Sequence, residues 1–465
     1  MKFRLPELDI PLGDPFVNDA LERKPVVNLL VSLLDRFNGP FVLALDAPWG
    51  TGKTTLVRML KARLQQEKFQ CVYFNAWQSD YVADPLVALV SELDSIDLAD
   101  AGAKIEFKKH LSKAKKITSV VAKRGLIAAA KAATLGALDL EEEIEIVAAE
   151  VAGGLVGDVV EAFQKEKAAL DALRKELESA VSQLQAAGKR ESLIFFIDEL
   201  DRCRPTFAIE VLERIKHLFD LSNIIFVLSI DKAQLSASVA AVYGEKSNTQ
   251  EYLRRFFDLE FGIPRIHPKR YTEILINGFG LDAAFAKRTH SDLRYDKSHF
   301  VDYFSALADV FQLSLRARER CVTMLAVVLH QTQESEYLDA ILLSFLIVLR
   351  AKRVETFHAL CGGSLSPERA MSSVEELPGG EKFVAERPGI LLESYLLAGD
   401  PVAGRTDVHY KKLEELLNSN SGDAKARTRA NEMLRLRHNI LPGFRDRFDY
   451  RYLAAKIDLA ASFRD

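Results

Sequence analysis

The chain of 465 residues lacks the features that mark several large classes of protein. Its four cysteines stand far apart with no CxxC pair, which is typical of a reducing compartment and argues against a disulfide framework or a zinc site. No stretch of about 18 residues is free of charged side chains, so we expect no membrane-spanning helix. The first residues, MKFRLPELDIPLGD, place acids and prolines where a secretory signal peptide needs an apolar run. These absences predict a cytoplasmic protein.

The sequence also lacks a large excess of charge of one sign. Its 62 basic and 66 acidic residues give a net charge of −4, so no global positive field indicates nucleic acid or an anionic membrane as a ligand. The nine histidines lack the spacing of metal ligands, and scattered structural or surface positions explain them more simply. Hydrophobic residues make up 48% and charged residues 28%, a balance that excludes disorder for the chain as a whole.

Short apolar segments alternate with amphipathic helical patterns, which predicts an α/β fold with a parallel sheet covered by helices on both faces. The predicted strands are Phe41–Asp46, Gln70–Asn75, Leu193–Asp198, Asn223–Ser229 and one near Asp258–Gly262. The second and third strands are much farther apart in sequence than a crossover helix requires, which indicates an insertion. We therefore predict a first core part at 1–96, a helical insertion at 97–188, a second core part at 189–265 and an all-helical C-terminal domain at 266–465.

A phosphate-binding loop is predicted directly after the first strand. The segment APWGTGKT, Ala47–Thr54, has the G-x-x-x-x-G-K-[ST] pattern with Ala47 in place of the first glycine. Gly50 and Gly52 allow the backbone to wrap around an anion, with its amide N–H groups pointing inward. Ala47 is a departure that strains the loop only if that position needs a left-handed conformation.

The side chains that follow this loop predict a triphosphate and its metal ion as ligands. The Lys53 ammonium is expected at the β- and γ-phosphates, and the Thr54 hydroxyl on Mg²⁺. The helix that begins here also directs its N-terminal dipole at the phosphates. The predicted cofactors are therefore ATP and Mg²⁺, with a nucleotide-binding set of Ala47, Pro48, Trp49, Gly50, Thr51, Gly52, Lys53, Thr54 and Thr55.

A pair of acidic residues, Asp198 and Glu199, stands at the end of the third strand. A run of apolar residues precedes Asp198, which places its carboxylate at the carboxyl edge of a buried strand, beside the phosphate loop. We expect Asp198 to hold the metal ion through water, and Glu199 to polarise the water that attacks the γ-phosphate. Lys53 and Glu199 are thus the predicted catalytic residues. Asp201 and Arg202 follow, and a structural ion pair explains them at least as well as catalysis does.

Several segments together resemble the KAP family of P-loop NTPases, which is related to AAA- and STAND-type ATPases. The resemblance covers about the first 265 residues apart from the insertion. Its distinctive element is FNAW, which composition alone does not explain. The matching stretches are Asp19–Leu30, APWGTGKTTL, Tyr73–Leu89, IDELDRCRP, Asn223–Leu235 and Glu251–Pro264.

The resemblance implies further site residues. It implies a core with a catalytic glutamate and a polar sensor after the fourth strand, where this chain has Ser229 and Asp231. Arg316 is similar to the γ-phosphate-sensing arginine of AAA-like lids, with an ordinary surface arginine as the alternative. Arg254 and Arg255 are candidates for arginine fingers, acting in cis or in trans.

The insertion at 97–188 leaves three interpretations open. Many members of the resembled family carry transmembrane hairpins at this place, but Arg124, Lys131 and Asp139 break the apolar stretch into pieces too short to cross a bilayer. A soluble helical hairpin with solvated charges is one interpretation. An amphipathic segment lying on an anionic membrane surface is the second. In the third, the basic run from Lys108 to Lys131 contacts nucleic acid or a protein partner.

The function that these observations predict is Mg²⁺-dependent ATP hydrolysis coupled to a conformational switch. The helical C-terminal domain would act as transducer to a protein partner or effector, and a homo-oligomer is compatible with this. The family resemblance also implies a role in anti-phage defence. One alternative is a nucleotide-gated binding module that recruits an effector with little turnover. The other is an ATPase stimulated by nucleic acid. Nuclease, protease and deaminase signatures are absent from the sequence, so any toxic activity is expected to come from a partner.

Overall fold

The structure is a computed structural model, and it describes residues 8–37, 39–135, 156–218, 221, 223–265, 267–288, 296–418, 424–444 and 450–462. In the two long helices of the insertion, the side chains of residues 120, 122–135 and 156–166 are not described. The chain divides into two compact units, one spanning Leu8–Pro264 and the other beginning at Arg265.

The first unit is built on a five-stranded parallel sheet with the strand order β2-β3-β4-β1-β5. Helices of the core surround the sheet, and the insertion adds two long helices to this unit. The strands are β1 (Phe41–Asp46), β2 (Gln70–Asn75), β3 (Leu193–Asp198), β4 (Ile224–Ile230) and β5 (Leu259–Gly262). The helices are α1 (Lys24–Leu34), α2 (Lys53–Gln66), α3 (Pro85–Glu92), α4 (Ala101–Leu135), α5 (Val156–Ala186), α6 (Pro205–Leu218), α7 (Lys232–Tyr243) and α8 (Thr249–Arg254).

Successive apolar residues of β1, β2, β3 and β4 pack into two different hydrophobic layers, one on each face of the sheet. Phe195 and Phe226 belong to the layer that includes residues of α3, α6 and α7. Ile194 and Ile225 belong to the layer that includes residues of α1 and α2. Because both faces are covered, the central strands are apolar almost throughout. The predicted α/β fold with a parallel sheet covered on both faces is confirmed.

The strand order brings the carboxyl ends of β1, β3 and β4 side by side at one edge of the sheet. In the register of these strands, Asp198 lies opposite Ser229, and Asp46 lies opposite Ile230. On the other side of β3, Asn75 at the end of β2 lies opposite Asp198. The segments that follow these strands are therefore neighbours in space although they are distant in sequence.

The insertion forms two long helices, α4 and α5, that pack along one another, as predicted for a helical insertion. Buried residues of both helices, including Phe107 and Leu177, belong to the same hydrophobic layer as Leu89 of α3 and Phe74 of β2. The base of the insertion, residues 101–121 of α4 and 167–186 of α5, is therefore part of the core of the first unit. Removal of this base would expose apolar surface on α3.

Several lysines of the predicted basic run are paired with acids. Lys113 lies 3.4 Å from Glu176 of α5, and Lys108 lies 3.8 Å from Asp94. Lys115 also pairs with Asp94. These pairs reduce the positive field that the sequence pattern indicated for this face. Among the described residues, no helix is long and apolar enough to cross a membrane, and the predicted membrane-contacting side chains at 124–143 lie outside the described residues.

The second unit is helical throughout its described residues, which confirms the predicted helical C-terminal domain. Its core surrounds α13, in which every residue from Ala340 to Leu349 is buried. Its helices are α9 (Pro268–Gly278), α10 (Leu281–Ala286), α11 (Asp296–Val310), α12 (Leu315–His330), α13 (Ala340–Lys352), α14 (Val354–Cys361), α15 (Pro367–Glu375), α16 (Gly380–Ala385), α17 (Arg387–Ala398), α18 (Arg405–Asn418), α19 (Ala424–Phe444) and α20 (Tyr450–Ser462).

Candidate nucleotide site

The loop after β1 has the backbone that the glycine pattern predicts. Gly50 and Gly52 have φ angles of 74° and 83°, in the left-handed region that L side chains rarely adopt. Ala47 has a negative φ, so alanine replaces the first glycine of the pattern without strain. Its backbone N–H donates to Ile230 O at 3.1 Å, which extends the contact of β1 with β4.

The rest of the predicted nucleotide-binding set lines the turn into α2. The Thr51 hydroxyl donates to Pro48 O at 2.8 Å and so fixes the turn within the loop. Lys53 is the first residue of α2, and Thr54 and Thr55 follow in its first turn, both half-buried. The N-terminus of this helix leaves backbone N–H groups free of intrahelical partners, which suits an anion.

Lys53 is a buried cation surrounded by acids. Its side chain is about 10% exposed, its Nζ donates to Ala47 O at 2.6 Å, and Asp201 Oδ2 lies 3.9 Å away. Burial lowers the pKa of Lys53, and four carboxylates oppose this shift: Asp201, Asp231, Asp198 and Asp46. Four acids around one ammonium leave the pocket negative, which suits a divalent cation.

Two aspartates hold the loop through Trp49. The Trp49 backbone N–H donates to Asp231 Oδ2 at 3.1 Å, and its indole N–H donates to Asp201 Oδ2. Asp231 also caps α7, because its Oδ1 accepts from Gln234 N at 3.3 Å. The position predicted as a polar sensor is therefore also part of the scaffold that fixes the loop. Burial raises the pKa of Asp201, and the nearby Lys53 opposes the shift.

Asp198 lies at the end of β3 with 1% of its surface exposed. The Tyr73 hydroxyl donates to Asp198 Oδ2 at 3.0 Å, and Glu199 N donates to Oδ1 at 2.9 Å. Burial and the negative charge of Asp198 raise the pKa of Tyr73, so Tyr73 stays a donor at neutral pH. Ser229 lies opposite Asp198 on β4 and is buried.

The residues at this edge fit a hydrated Mg²⁺ ion. Hard oxygen donors are the ligands that Mg²⁺ prefers, directly or through water. Ser229 Oγ and Asp201 Oδ1 are buried, and neither has a hydrogen-bond partner among the residues that the structure describes. Thr54 and Asp198 would hold the ion, and the two unpaired oxygens are available to its water molecules.

Glu199 has an unusual backbone, and each of its carboxylate oxygens has a partner. Its φ of 62° is left-handed, which costs a non-glycine residue roughly 1–2 kcal/mol. Asn75 Nδ2 donates to Glu199 Oε2 at 3.0 Å, and Arg202 Nη1 lies 2.9 Å from Oε1. The ion pair proposed for this segment thus joins Arg202 to Glu199, whereas Asp201 faces the loop. Strain of this kind persists where the surrounding structure holds a side chain in place.

Arg23 is a residue of the site to which the sequence assigned no role. It is 2% exposed, and its guanidinium donates to Thr51 O at 3.1 Å and to Pro264 O at 2.7 Å. It therefore connects the phosphate loop to the residue that ends the first unit. It stands within the resembled stretch Asp19–Leu30, but a lone arginine before a helix carries no local signal for a tertiary contact.

In the part of the first unit that the structure describes, the two predicted arginine fingers make no hydrogen bond or ion pair with the residues of the nucleotide site. Arg254 and Arg255 are exposed at the end of α8, where Arg254 lies 3.5 Å from Glu251. Arg316 is exposed in the first turn of α12, in the second unit. The roles of all three stay predictions.

A family model described as the KAP family P-loop domain matches residues 23–331. Among solved structures, ORC2 of Aeropyrum pernix in ADPNP–ADP complexes is 14% identical with a TM-score of 0.36, over 98% of this chain and 96% of that chain. PCH-2 of C. elegans is 12% identical with a TM-score of 0.31, over 72% of this chain and 69% of that chain. Among curated proteins, none matches.

Proposed function

Because the chain belongs to the KAP family of P-loop NTPases, we propose that it is a Mg²⁺-dependent ATPase that switches conformation with its nucleotide state. The observation that carries this proposal is the juxtaposition of the phosphate loop with Asp198 and Glu199 at one edge of the sheet. A loop that only bound an anion would not need a buried carboxylate and a strained glutamate beside it.

Nucleotide binding is expected to rearrange Lys53. Its ammonium donates to Ala47 O, and triphosphate oxygens offer a stronger, charged acceptor in the same pocket. The loop N–H groups and the α2 terminus would receive the phosphates, and Lys53 would stabilise negative charge that develops in the transition state. Bound Mg²⁺ would supply positive charge that offsets the negative charge of the phosphates. Thr54 and Asp198 are the residues that would hold it.

Glu199 is the residue that we assign to the attacking water. Its carboxylate can accept a hydrogen bond from water, and we expect nucleotide binding to release it from Asn75 or Arg202 so that it orients that water toward the γ-phosphate. Because this release is a conformational step, hydrolysis and switching are linked at the same side chain.

Neutral substitutions of the two neighbouring acids test the proposal. Glu199→Gln keeps volume and folding but lacks the charge that polarises water, so turnover should fall by about 10²–10⁴-fold while Mg²⁺–ATP affinity is kept. Asp198→Asn should weaken Mg²⁺-dependent binding as well as rate. Glu245→Gln, at an exposed turn, is the matched control and should behave as wild type.

Outcomes of this experiment also separate the alternative functions. Wild-type turnover in Glu199→Gln would remove this residue as the base. Nucleotide binding without turnover in the wild type would favour the nucleotide-gated binding module. Turnover that appears only with added nucleic acid would favour the third function. Mass measurements with and without ATP, using Glu199→Gln to retain the bound state, would show whether the switch includes assembly into an oligomer.

The resemblance also motivates a biological hypothesis, a role in anti-phage defence with a protein effector. If ATP binding drives this role, plaque counts on cells that carry the wild-type chain should be lower than on cells that carry Lys53→Ala. Equal plaque counts across a panel of phages would contradict it.

A further inference from the structure

Arg202 lies between the Glu199 carboxylate and an exposed aromatic ring. Its Nη1 is 2.9 Å from Glu199 Oε1, and its guanidinium carbon is 5.7 Å from the centre of the Trp77 ring. Trp77 is 53% exposed, whereas Glu199 is mostly buried. Asn75, two residues before Trp77, holds the other oxygen of the same carboxylate. Each Glu199 oxygen therefore has its own donor, one from an amide and one from a guanidinium.

The backbone keeps Arg202 on the same side as Glu199. Residues Leu200–Arg202 form a single 3-10 turn, and Arg202 N donates to Glu199 O at 3.1 Å. The left-handed φ of Glu199 starts this turn. Arg204, two residues further, points to a different partner and pairs with Asp80 at 3.0 Å. The contact with Glu199 is thus specific to Arg202.

We propose that Arg202 is a positioning residue that holds Glu199 in a resting orientation until nucleotide binding releases it, and that this release moves Arg202 relative to Trp77. A guanidinium forms a charge-assisted hydrogen bond that competes with water for the carboxylate. A partly exposed cation–π contact with tryptophan is weak and therefore reversible. This inference rests on the proposed function, because it assigns Glu199 to the attacking water.

Turnover measurements test the restraint. Arg202→Gln should raise kcat at saturating Mg²⁺–ATP by about fivefold, equivalent to about 1 kcal/mol of barrier, with KM unchanged. Arg202→Lys keeps the charge but not the planar fork, so it should give a smaller increase. Arg204→Gln is the matched control and should leave kcat unchanged. A structural role alone would lower the melting temperature and kcat together, whereas a restraint raises kcat.

A double variant assigns the increase to Glu199. Arg202→Gln combined with Glu199→Gln should show no increase over Glu199→Gln alone, because the released group is missing. If Arg202→Gln lowers kcat in a protein that melts like the wild type, or if the increase persists in the double variant, the inference is wrong.

Trp77 provides a second measurement that does not need turnover. The chain has two tryptophans, so in Trp49→Phe the emission comes from Trp77 alone. A non-hydrolysable ATP analogue with Mg²⁺ should change this emission in Trp49→Phe, and the change should be absent when Arg202→Gln is added. Calorimetry on both variants would establish that the analogue is bound. If the wild type hydrolyses no ATP, the proposed function is wrong, and the emission of Trp77 is then the measurement that tests the role of Arg202. An emission change of the same size with and without Arg202→Gln would show that the inference is wrong.

Discussion

Replacing Arg23 should weaken both the first unit and its affinity for ATP. The buried guanidinium joins two carbonyl oxygens, Thr51 O in the phosphate loop and Pro264 O beyond β5. Alanine would leave both acceptors without this donor and remove the link between the two segments. The loop residue Thr51 would then be restrained mainly by its own hydroxyl contact with Pro48.

The size of the effect follows from these contacts. A hydrogen bond from a charged donor contributes about 1.5–3 kcal/mol, and Arg23 makes two. Burial lowers the pKa of Arg23 with Asp19 opposing, so its removal also relieves the cost of a buried charge. We therefore expect the free energy of unfolding to fall by about 2–4 kcal/mol, which lowers the melting midpoint of the first unit by about 5–15 °C. A less ordered loop should bind ATP about tenfold more weakly.

Scanning calorimetry and isothermal titration with Mg²⁺–ATP measure the two effects on the same samples. Arg23→Lys keeps the charge, but its ammonium can donate in good geometry to only one of the two carbonyl oxygens. We therefore expect about half of the loss in the free energy of unfolding and about half of the loss in the free energy of ATP binding. Lys24→Ala, at the exposed neighbouring position, is the control and should match the wild type. An Arg23→Ala protein that melts and binds ATP as the wild type does would refute the assignment of Arg23 to the site.

Three further predictions concern other parts of the chain. Lys53→Ala should abolish ATP binding in a titration, because it removes the ammonium expected at the β- and γ-phosphates; unchanged affinity would contradict the phosphate-loop assignment. Replacing 122–166 with a short Gly/Ser linker keeps the base of α4 and α5 on α3, so ATP affinity should stay within about tenfold, and a larger loss would implicate the insertion in binding. Burial raises the pKa of Asp339 to about 6 from 3.8. The folded helical unit therefore binds this proton more tightly than the unfolded chain, and its stability should fall by about 2 kcal/mol as pH rises from about 4 to 6. Asp339→Asn keeps an oxygen for Leu342 N and should remove that dependence in urea titrations at the two pH values.

The parts of the site that the sequence predicts are those set by local pattern. The phosphate loop and Asp198 each follow an apolar strand, and a parallel sheet brings such strand ends to one edge, so their proximity was predictable. The observed β4 is displaced by one residue from the prediction, because Asn223 takes a left-handed φ of 70° and belongs to the turn. The φ angle that such a residue adopts depends on the neighbouring strand as well as on the local sequence.

The contacts that the sequence does not predict depend on pairing between distant segments. Asn75 ends a predicted strand and could have been assigned to the same edge as Asp198, but its bond to Glu199 requires the register of β2 on β3. The indole of Trp49 meets Asp201 only because the turn after β3 folds over the loop. Arg23 depends on two segments far apart in sequence. These contacts depend on how distant segments of the chain pair with one another. Local periodicity does not encode that pairing, so the sequence pattern did not predict them.

The burial of the insertion's base has a mechanical consequence. A helix of 35 residues such as α4 is about 50 Å long, and it is anchored at one end against α3. A tilt of roughly 5° at that anchor would displace the far end of α4 by about 4 Å. The helix α3 follows the segment that carries Asn75 and Trp77, so α4 can act as a lever arm whose fulcrum adjoins the residues around Glu199. A small rearrangement at the fulcrum is thereby amplified along α4, and a load on its far end acts back on the fulcrum with the same leverage.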